Sequence, residues 1–359
     1  MAAVRPEFWK DKRVFVTGHT GFKGSWLCLW LSQLGAKVTG YALSPPTRPN
    51  LFEAASVGQS IDSVIGDVTD FPSLEAALVN AAPEIVIHMA AQSLVRYSYQ
   101  NPVETFATNV LGSVHILEAL RRVPSVRAVV MVTSDKCYLN REWVWGYNEN
   151  STLGGEDPYS ASKACAELAV AAMRSSFYSG NPETAVIATA RAGNVIGGGD
   201  WALDRLVPDI LRSLVAGEPT LIRNPQATRP WQHVLEPLNG YLMLAERLFD
   251  DGDEFATGWN FGPPEQSEKT VAWIIDELYR LWGADFRWKR DTELGPPEST
   301  FLKLDASKAR AYLGWRPKLD LSNTLQWIVS WMRHYGSGDD MRRVSIADIE
   351  RFMSIAPVE

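Results

Sequence analysis

The run RVFVTGHTGFKG, residues 13–24, narrows the fold more than any other stretch of this chain. A short β-favouring segment ends at Gly18, and an apolar helical pattern (Trp26, Leu27, Leu29, Trp30, Leu31, Leu34) opens at Phe22. Between them stand Gly18, Gly21 and Gly24. At such a junction Gly18 allows a tight turn, Gly21 lets the backbone approach a pyrophosphate, and Gly24 lets the helix pack close to the strand. The free N–H groups of the helix start then face the phosphates. Further strand-like runs at 36–43, 84–90, 126–134 and 184–192, with a weaker one ending at Gly66-Asp67, alternate with helical stretches. That alternation predicts a doubly wound parallel α/β sheet.

The regularity fades after Asn194. Helices are expected near 204–216, 234–250, 268–282, 305–313, 322–335 and 345–354, with short strands at TLIR (220–223) and WNFG (259–262). The reading is a dinucleotide-binding domain over 1–192 plus about 232–256, and a smaller mixed α/β substrate lobe over 193–231 and 257–359. Most of the fourteen tryptophans read as core or interface filler.

The formal net charge of −7 argues against a nucleic-acid or membrane-surface role, so an anionic substrate must be met by local arginines. Three cysteines, Cys28, Cys137 and Cys165, lack metal spacing and fit a reducing cytoplasm, and no metal site is expected. No signal-peptide core or membrane-length apolar run is seen at the start.

In DPYSASK, Tyr159 and Lys163 lie four apart, on one face of an expected helix that Asp157 can cap and Pro158 can open. Bringing a phenol from about 10 to about 7 takes roughly 4 kcal/mol. A lysine charge ~5 Å away supplies on the order of 3 kcal/mol at an effective dielectric of ~20. A Y-x-x-x-K pair also arises by chance on a solvated helix, so its weight comes from its surroundings.

G-x-x-G-x-x-G, the Y-x-x-x-K pair and HMAA after the fourth strand together resemble the extended short-chain dehydrogenase/reductase (epimerase/dehydratase) family. The resemblance covers nearly the whole chain and implies a Rossmann fold carrying NAD or NADP. It assigns the cofactor to Gly18, Thr20, Gly21, Phe22, Lys23 and Gly24, Asp67 and Val68 at the adenine, and Ala90, Ala91, Thr108 and Thr133 along the channel, with Tyr159 and Lys163. His88 reads as a satisfied core histidine. One departure stands out: YALSPPTR, after the second strand, carries no acid for the ribose hydroxyls. Arg48 either meets a 2′-phosphate or is a loop arginine, so NAD over NADP is the family's preference.

TSDKCY (133–138) is similar to the nucleotide-sugar 4,6-dehydratases, in which an acid and a base follow the hydroxyl residue. TSDKCY, NVIGGGDW and RPWQHVLEPL together point to the branch acting on a CDP-sugar, with another nucleotide-sugar dehydratase or a 4-epimerase as the alternative. The implied roles are Ser134 orienting the reacting hydroxyl, Tyr159 with Lys163 as C4 base, and Asp135 as acid at C6. Lys136 is either the C5 base or a charged stabiliser of the enolate. For the substrate the resemblance offers Gln92, Ser93, Asn194, Arg205 and Arg229, the arginines suiting the diphosphate. It also implies a homodimer formed through helices near 103–122 and 158–178, with higher assembly open, and a product that feeds deoxysugar synthesis for bacterial surface polysaccharide.

Overall fold

The computed structural model describes residues 3–181, 183–285, 288–291 and 301–357, so parts of the expected lobe lie outside the described residues. Its centre is a seven-stranded, all-parallel sheet: β1 (Arg13–Thr17), β2 (Lys37–Ala42), β3 (Asp62–Ile65), β4 (Ile85–His88), β5 (Ala128–Val132), β6 (Val186–Arg191) and β7 (Gly258–Asn260). The spatial order is β3-β2-β1-β4-β5-β6-β7. The order reverses between β1 and β4, which opens a crevice at their carboxyl ends.

Strand periodicity explains why both faces are covered. Val14, Val16, Ile85, Ile87 and Val130 point into one core, and Phe15, Val86, Val129 and Met131 into the other. The first core is closed by α1 (Phe22–Gln33), which supplies Trp26, Leu27 and Trp30. The second is closed by α2 (Phe71–Ala81), α3 (Gly112–Leu120) and α4 (Pro158–Met173), through residues such as Leu74, Ile116 and Val170. A π-helical turn, Ala107–Leu111, joins Pro102–Phe106 to α3 in place of the uniform helix expected there.

WNFG was expected in the lobe. Instead Gly258–Asn260 pairs with β6 as the edge strand of the main sheet. Local sequence could not show this, because pairing with β6 is a contact between segments some 70 residues apart. α5 (Leu235–Asp251) packs on β5 and β6. Among the described residues, the elements after β6 carry three small strand pairs, including Thr228–Pro230 with Glu268–Thr270. Ile274, Leu278 and Leu325 of the lobe belong to the same core as Val14. Trp9, Trp26, Trp30, Trp259, Trp315 and Trp331 are fully buried, whereas Trp143 and Trp145 are exposed. Among the described residues no helix is long and apolar enough to cross a membrane, and no group of three His, Cys, Asp or Glu could hold a metal ion. All three cysteines are free.

Glu236 on α5 pins the lobe: its Oε1 accepts from Lys318 N at 2.8 Å and Leu319 N at 2.7 Å, while its buried Oε2 has no hydrogen-bond partner. Burial raises this carboxyl to about 8, against the lowering pull of those two N–H groups. The folded protein therefore binds the Glu236 proton more tightly than the unfolded chain. Its contribution to stability is greatest below the unfolded value and falls as pH rises toward 8. Glu236→Gln is expected to gain stability relative to the parent between pH 5 and pH 8, by a few degrees in melting temperature, read from paired thermal melts.

Candidate active site

The crevice is lined first by the glycine turn. Gly18 has φ +77°, and a β-carbon on it would lie 2.8 Å from Ala90 N. A β-carbon on Gly24 would stand 2.0 Å from Gly18 O, so the helix can sit this close to the strand end only without a side chain there. At Gly21 the same construction meets only Gly18 O, at 3.4 Å, leaving open space over the N-terminus of α1. This cradle fits a diphosphate. Thr20 Oγ1 donates to Leu43 O at 2.8 Å, tying the turn to the end of β2, while Arg48 is exposed in the following loop.

The far wall starts with Thr17, whose hydroxyl contacts His88 Nδ1 at 2.7 Å and accepts from Met89 N and Ala90 N. His88 is buried, lowered to about 3 mainly by that burial, and in contact with Ser113, which makes it a core residue. Asp67 Oδ1 accepts from Thr69 N, and Val68 is buried with its carbonyl facing His115. Ala91 and Thr108 are half-buried.

α4 is placed by its first turn. Asp157 caps it, accepting from Ser160 N at 2.9 Å and Ser160 Oγ at 2.6 Å, and Pro158 follows at the first helical position. Tyr159 N donates to Ser98 Oγ, and Asn109 Nδ2 donates to Ser162 Oγ at 2.8 Å. Tyr159 and Lys163 are thereby buried side by side along the helix face, at 7 % and 5 % exposure. Burial pushes the Tyr159 phenol up to about 12, against the lowering pull of its bond to Ser134 and of Arg205. The sequence estimate counted charge and left out this desolvation. Burial likewise lowers Lys163 to about 8, with Glu167 opposing.

After β5 the chain makes a short 3₁₀ turn, Asp135–Cys137, capped by Ser134. Ser134 Oγ donates to Asp135 Oδ1 at 2.9 Å and accepts from Lys136 N at 3.2 Å. Asp135 is 3 % exposed, and its Oδ2 has no hydrogen-bond partner. Burial raises its carboxyl, against Lys136, Ser134 and Arg229. Lys136 is half-buried. Lys23 donates to Tyr241 OH at 3.4 Å and is lowered to about 7 by burial and by the neighbouring Lys163 and Arg205. Cations thus collect around the buried Asp135 carboxyl, in a chain whose net charge is negative.

Among the substrate candidates, Arg205 bonds Ser93 Oγ at 2.7 Å and Asp200 Oδ2 at 3.1 Å at the crevice rim. Arg229 lies on a strand within electrostatic reach of Asp135, and Asn194, which follows Gly193 in the chain, holds φ +47°. The Gln92 amide donates to Leu94 O and Thr105 Oγ1 and accepts from Leu94 N, bracing its own loop. The Thr133 hydroxyl donates to Glu167 at 2.5 Å.

Comparison with known proteins agrees with this geometry. The profile of the GDP-mannose 4,6 dehydratase family matches residues 15–328. The chain belongs to that family. One family relative, the CDP-glucose 4,6-dehydratase of Salmonella typhimurium strain LT2, is 55% identical over 352 residues, spanning 97% of this chain and 98% of that protein. A dTDP-glucose 4,6-dehydratase of Xanthomonas campestris is 26% identical, over 88% and 92% of the two chains. In fold, this chain resembles UDP-glucose 4-epimerase of Thermotoga maritima with UDP-glucose (TM-score 0.79, 21% identity, 90% and 99% covered). It also resembles dTDP-glucose 4,6-dehydratase of Bacillus anthracis in complex with NAD (TM-score 0.74, 21% identity, 92% and 99% covered).

Sequence reasoning missed the support beneath the site. Glu167, one turn beyond Lys163, accepts from Thr133, Thr189 and Arg191, and Arg191 Nη1 donates to Tyr138 OH at 2.6 Å. The i, i+4 spacing from Lys163 to Glu167 was the one legible signal.

Proposed function

We propose that this protein converts CDP-glucose to CDP-4-dehydro-6-deoxy-glucose and water with bound NAD. The observation that carries the reading is a buried carboxyl, Asp135, hydrogen-bonded to Ser134 beside Tyr159 and pushed upward from the usual carboxylate range by burial. Epimerisation at C4 breaks no carbon–oxygen bond and needs no such acid; loss of a C6 hydroxyl does. The full-length likeness to a CDP-glucose 4,6-dehydratase supports the cytidine substrate.

The glycine turn, Asp67, Val68, Ala90, Ala91, Thr108 and Lys163 would hold NAD, which when bound would supply the hydride acceptor for C4 and the hydride donor for C6. Ser134 orients the C4 hydroxyl and Tyr159 takes its proton, leaving a ketone that acidifies C5. Lys136 is assigned to C5, where it accepts the proton when neutral and holds the enolate when charged. Asp135 gives its proton to the C6 oxygen, which leaves as water. Arg205 and Arg229, with Asn194 and Ser93, meet the diphosphate and sugar. Exposed Val103, Phe106 and Leu111 on the 102–120 helix segment and Leu168 on α4 form an apolar face suited to a second copy, as a homodimer in the cytoplasm.

Incubation with CDP-glucose carrying deuterium at C4 tests the reading. The label is expected in the C6 methyl group of a 4-keto-6-deoxy product. A C6 hydroxyl retained in the product, or a methyl without label, overturns it.

A further inference from the structure

Gly193 follows β6 and precedes the left-handed Asn194. Its carbonyl accepts from Gln232 Nε2 at 3.2 Å, and Asn194 O accepts from Gln232 N at 3.3 Å, so this backbone is held by Gln232. A β-carbon on Gly193 would stand 1.8 Å from Asp135 Oδ2, 2.1 Å from its Cγ and 2.6 Å from its Oδ1. These three nearest atoms all belong to one carboxyl group. Gly193 is not among the positive-φ glycines, so its backbone accepts an L residue without strain. What a side chain here meets first is therefore the Asp135 carboxyl.

The carboxyl fills a slot between Ser134, which donates to Oδ1, and the bare α-carbon of Gly193. Within that slot Oδ2 is buried against Gly193 and takes no protein hydrogen bond, so the carboxyl is held by packing and by its Ser134 bond alone. We propose that Gly193 is a positioning residue for the elimination step: its missing side chain makes the space that holds Asp135 against the departing C6 hydroxyl. This rests on Asp135 being the acid of the proposed reaction. In that step Lys136 takes the C5 proton, the C5–H electron pair forms C5=C6, the C6–O bond breaks with its pair on oxygen, and that oxygen takes the Asp135 proton to leave as water. A β-carbon at 193 is accommodated by rotation of the Asp135 side chain, the movable partner. The fold and the Tyr159–Ser134 pair at C4 are kept, and the proton donor at C6 is displaced.

The test is Gly193→Ala in two backgrounds of the holoenzyme, the parent and Asp135→Ala. In the parent background, formation of the 4-keto-6-deoxy sugar is expected to fall by about 10²-fold. Oxidation at C4, read in a single turnover from the near-ultraviolet absorbance of reduced nicotinamide, stays within about threefold, because its proton acceptor is not moved. In the Asp135→Ala background the clashing carboxyl is gone, and adding Gly193→Ala changes either rate by less than about twofold. Unchanged dehydration in Gly193→Ala, equal loss of oxidation and dehydration, or the same loss in both backgrounds overturns the proposal. The same cycle read as denaturation midpoints reports the Gly193–Asp135 contact without any turnover. A parent protein that leaves CDP-glucose unchanged would refute the proposed reaction, while a non-additive denaturation cycle would still establish the contact.

Discussion

Tyr159→Phe is expected to lower turnover by about 10³-fold or more, while leaving the melting temperature nearly unchanged. The phenol hydroxyl's named partner is Ser134, which keeps its bond to Asp135 when Tyr159 is cut back, so no buried group is stranded. The ring stays, and α4 is still held by the Asp157 cap and by Ser98. The loss falls on C4 oxidation, so no reduced nicotinamide accumulates, in contrast to Gly193→Ala. A second measurement separates the phenol from its surroundings. Because burial holds Tyr159 near 12 in the protein alone, the ultraviolet titration difference between parent and Tyr159→Phe is expected to be flat through neutral pH. On adding NAD that difference moves toward neutrality, since a positive ring beside the phenol favours its charged form. A fully active Tyr159→Phe protein would refute the assignment.

Glu167→Ala is expected to destabilise the fold by about 3–5 kcal/mol, because it leaves the Arg191 guanidinium buried without its carboxylate. The side chains of this pair are 6% and 3% exposed, at an N–O distance of 2.7 Å. Burial works against the Glu167 carboxylate, yet Arg191 and the hydroxyls of Thr133 and Thr189 hold it below the usual carboxylate range. Removing both charges, as Glu167→Met with Arg191→Met, is expected to recover part of that loss. Recovery stays partial because Thr133 and Thr189 lose their acceptor and Tyr138 loses its guanidinium donor. Urea denaturation of the three variants checks the order: parent above double, double above single. The same network ties the strand end before Ser134 to the helix of Tyr159, and through Tyr138 to Asn260 on β7. Catalytic rate is therefore expected to fall in both variants even where most molecules remain folded.

Sequence carried the central sheet, because its strands are local runs of apolar residues separated by helical periods, and both signals survive without knowledge of neighbours. It carried Ser134, Asp135, Lys136, Tyr159 and Lys163 as residues of interest for the same reason: each motif is contiguous. It did not carry the edge strand Gly258–Asn260, whose pairing with β6 is long-range, nor the bonds of the Gln92 amide within its own loop.

The order of residues by itself determined that a glycine turn would join a strand to a helix, and that a phenol and an amine would share one helical face. Only the tertiary structure decided their electrostatics and company. Burial, a property of every element packed around a group, raised Tyr159 and Asp135 and lowered Lys163, and chain-distant contacts set Glu167 under the site and the bare α-carbon of Gly193 against the Asp135 carboxyl.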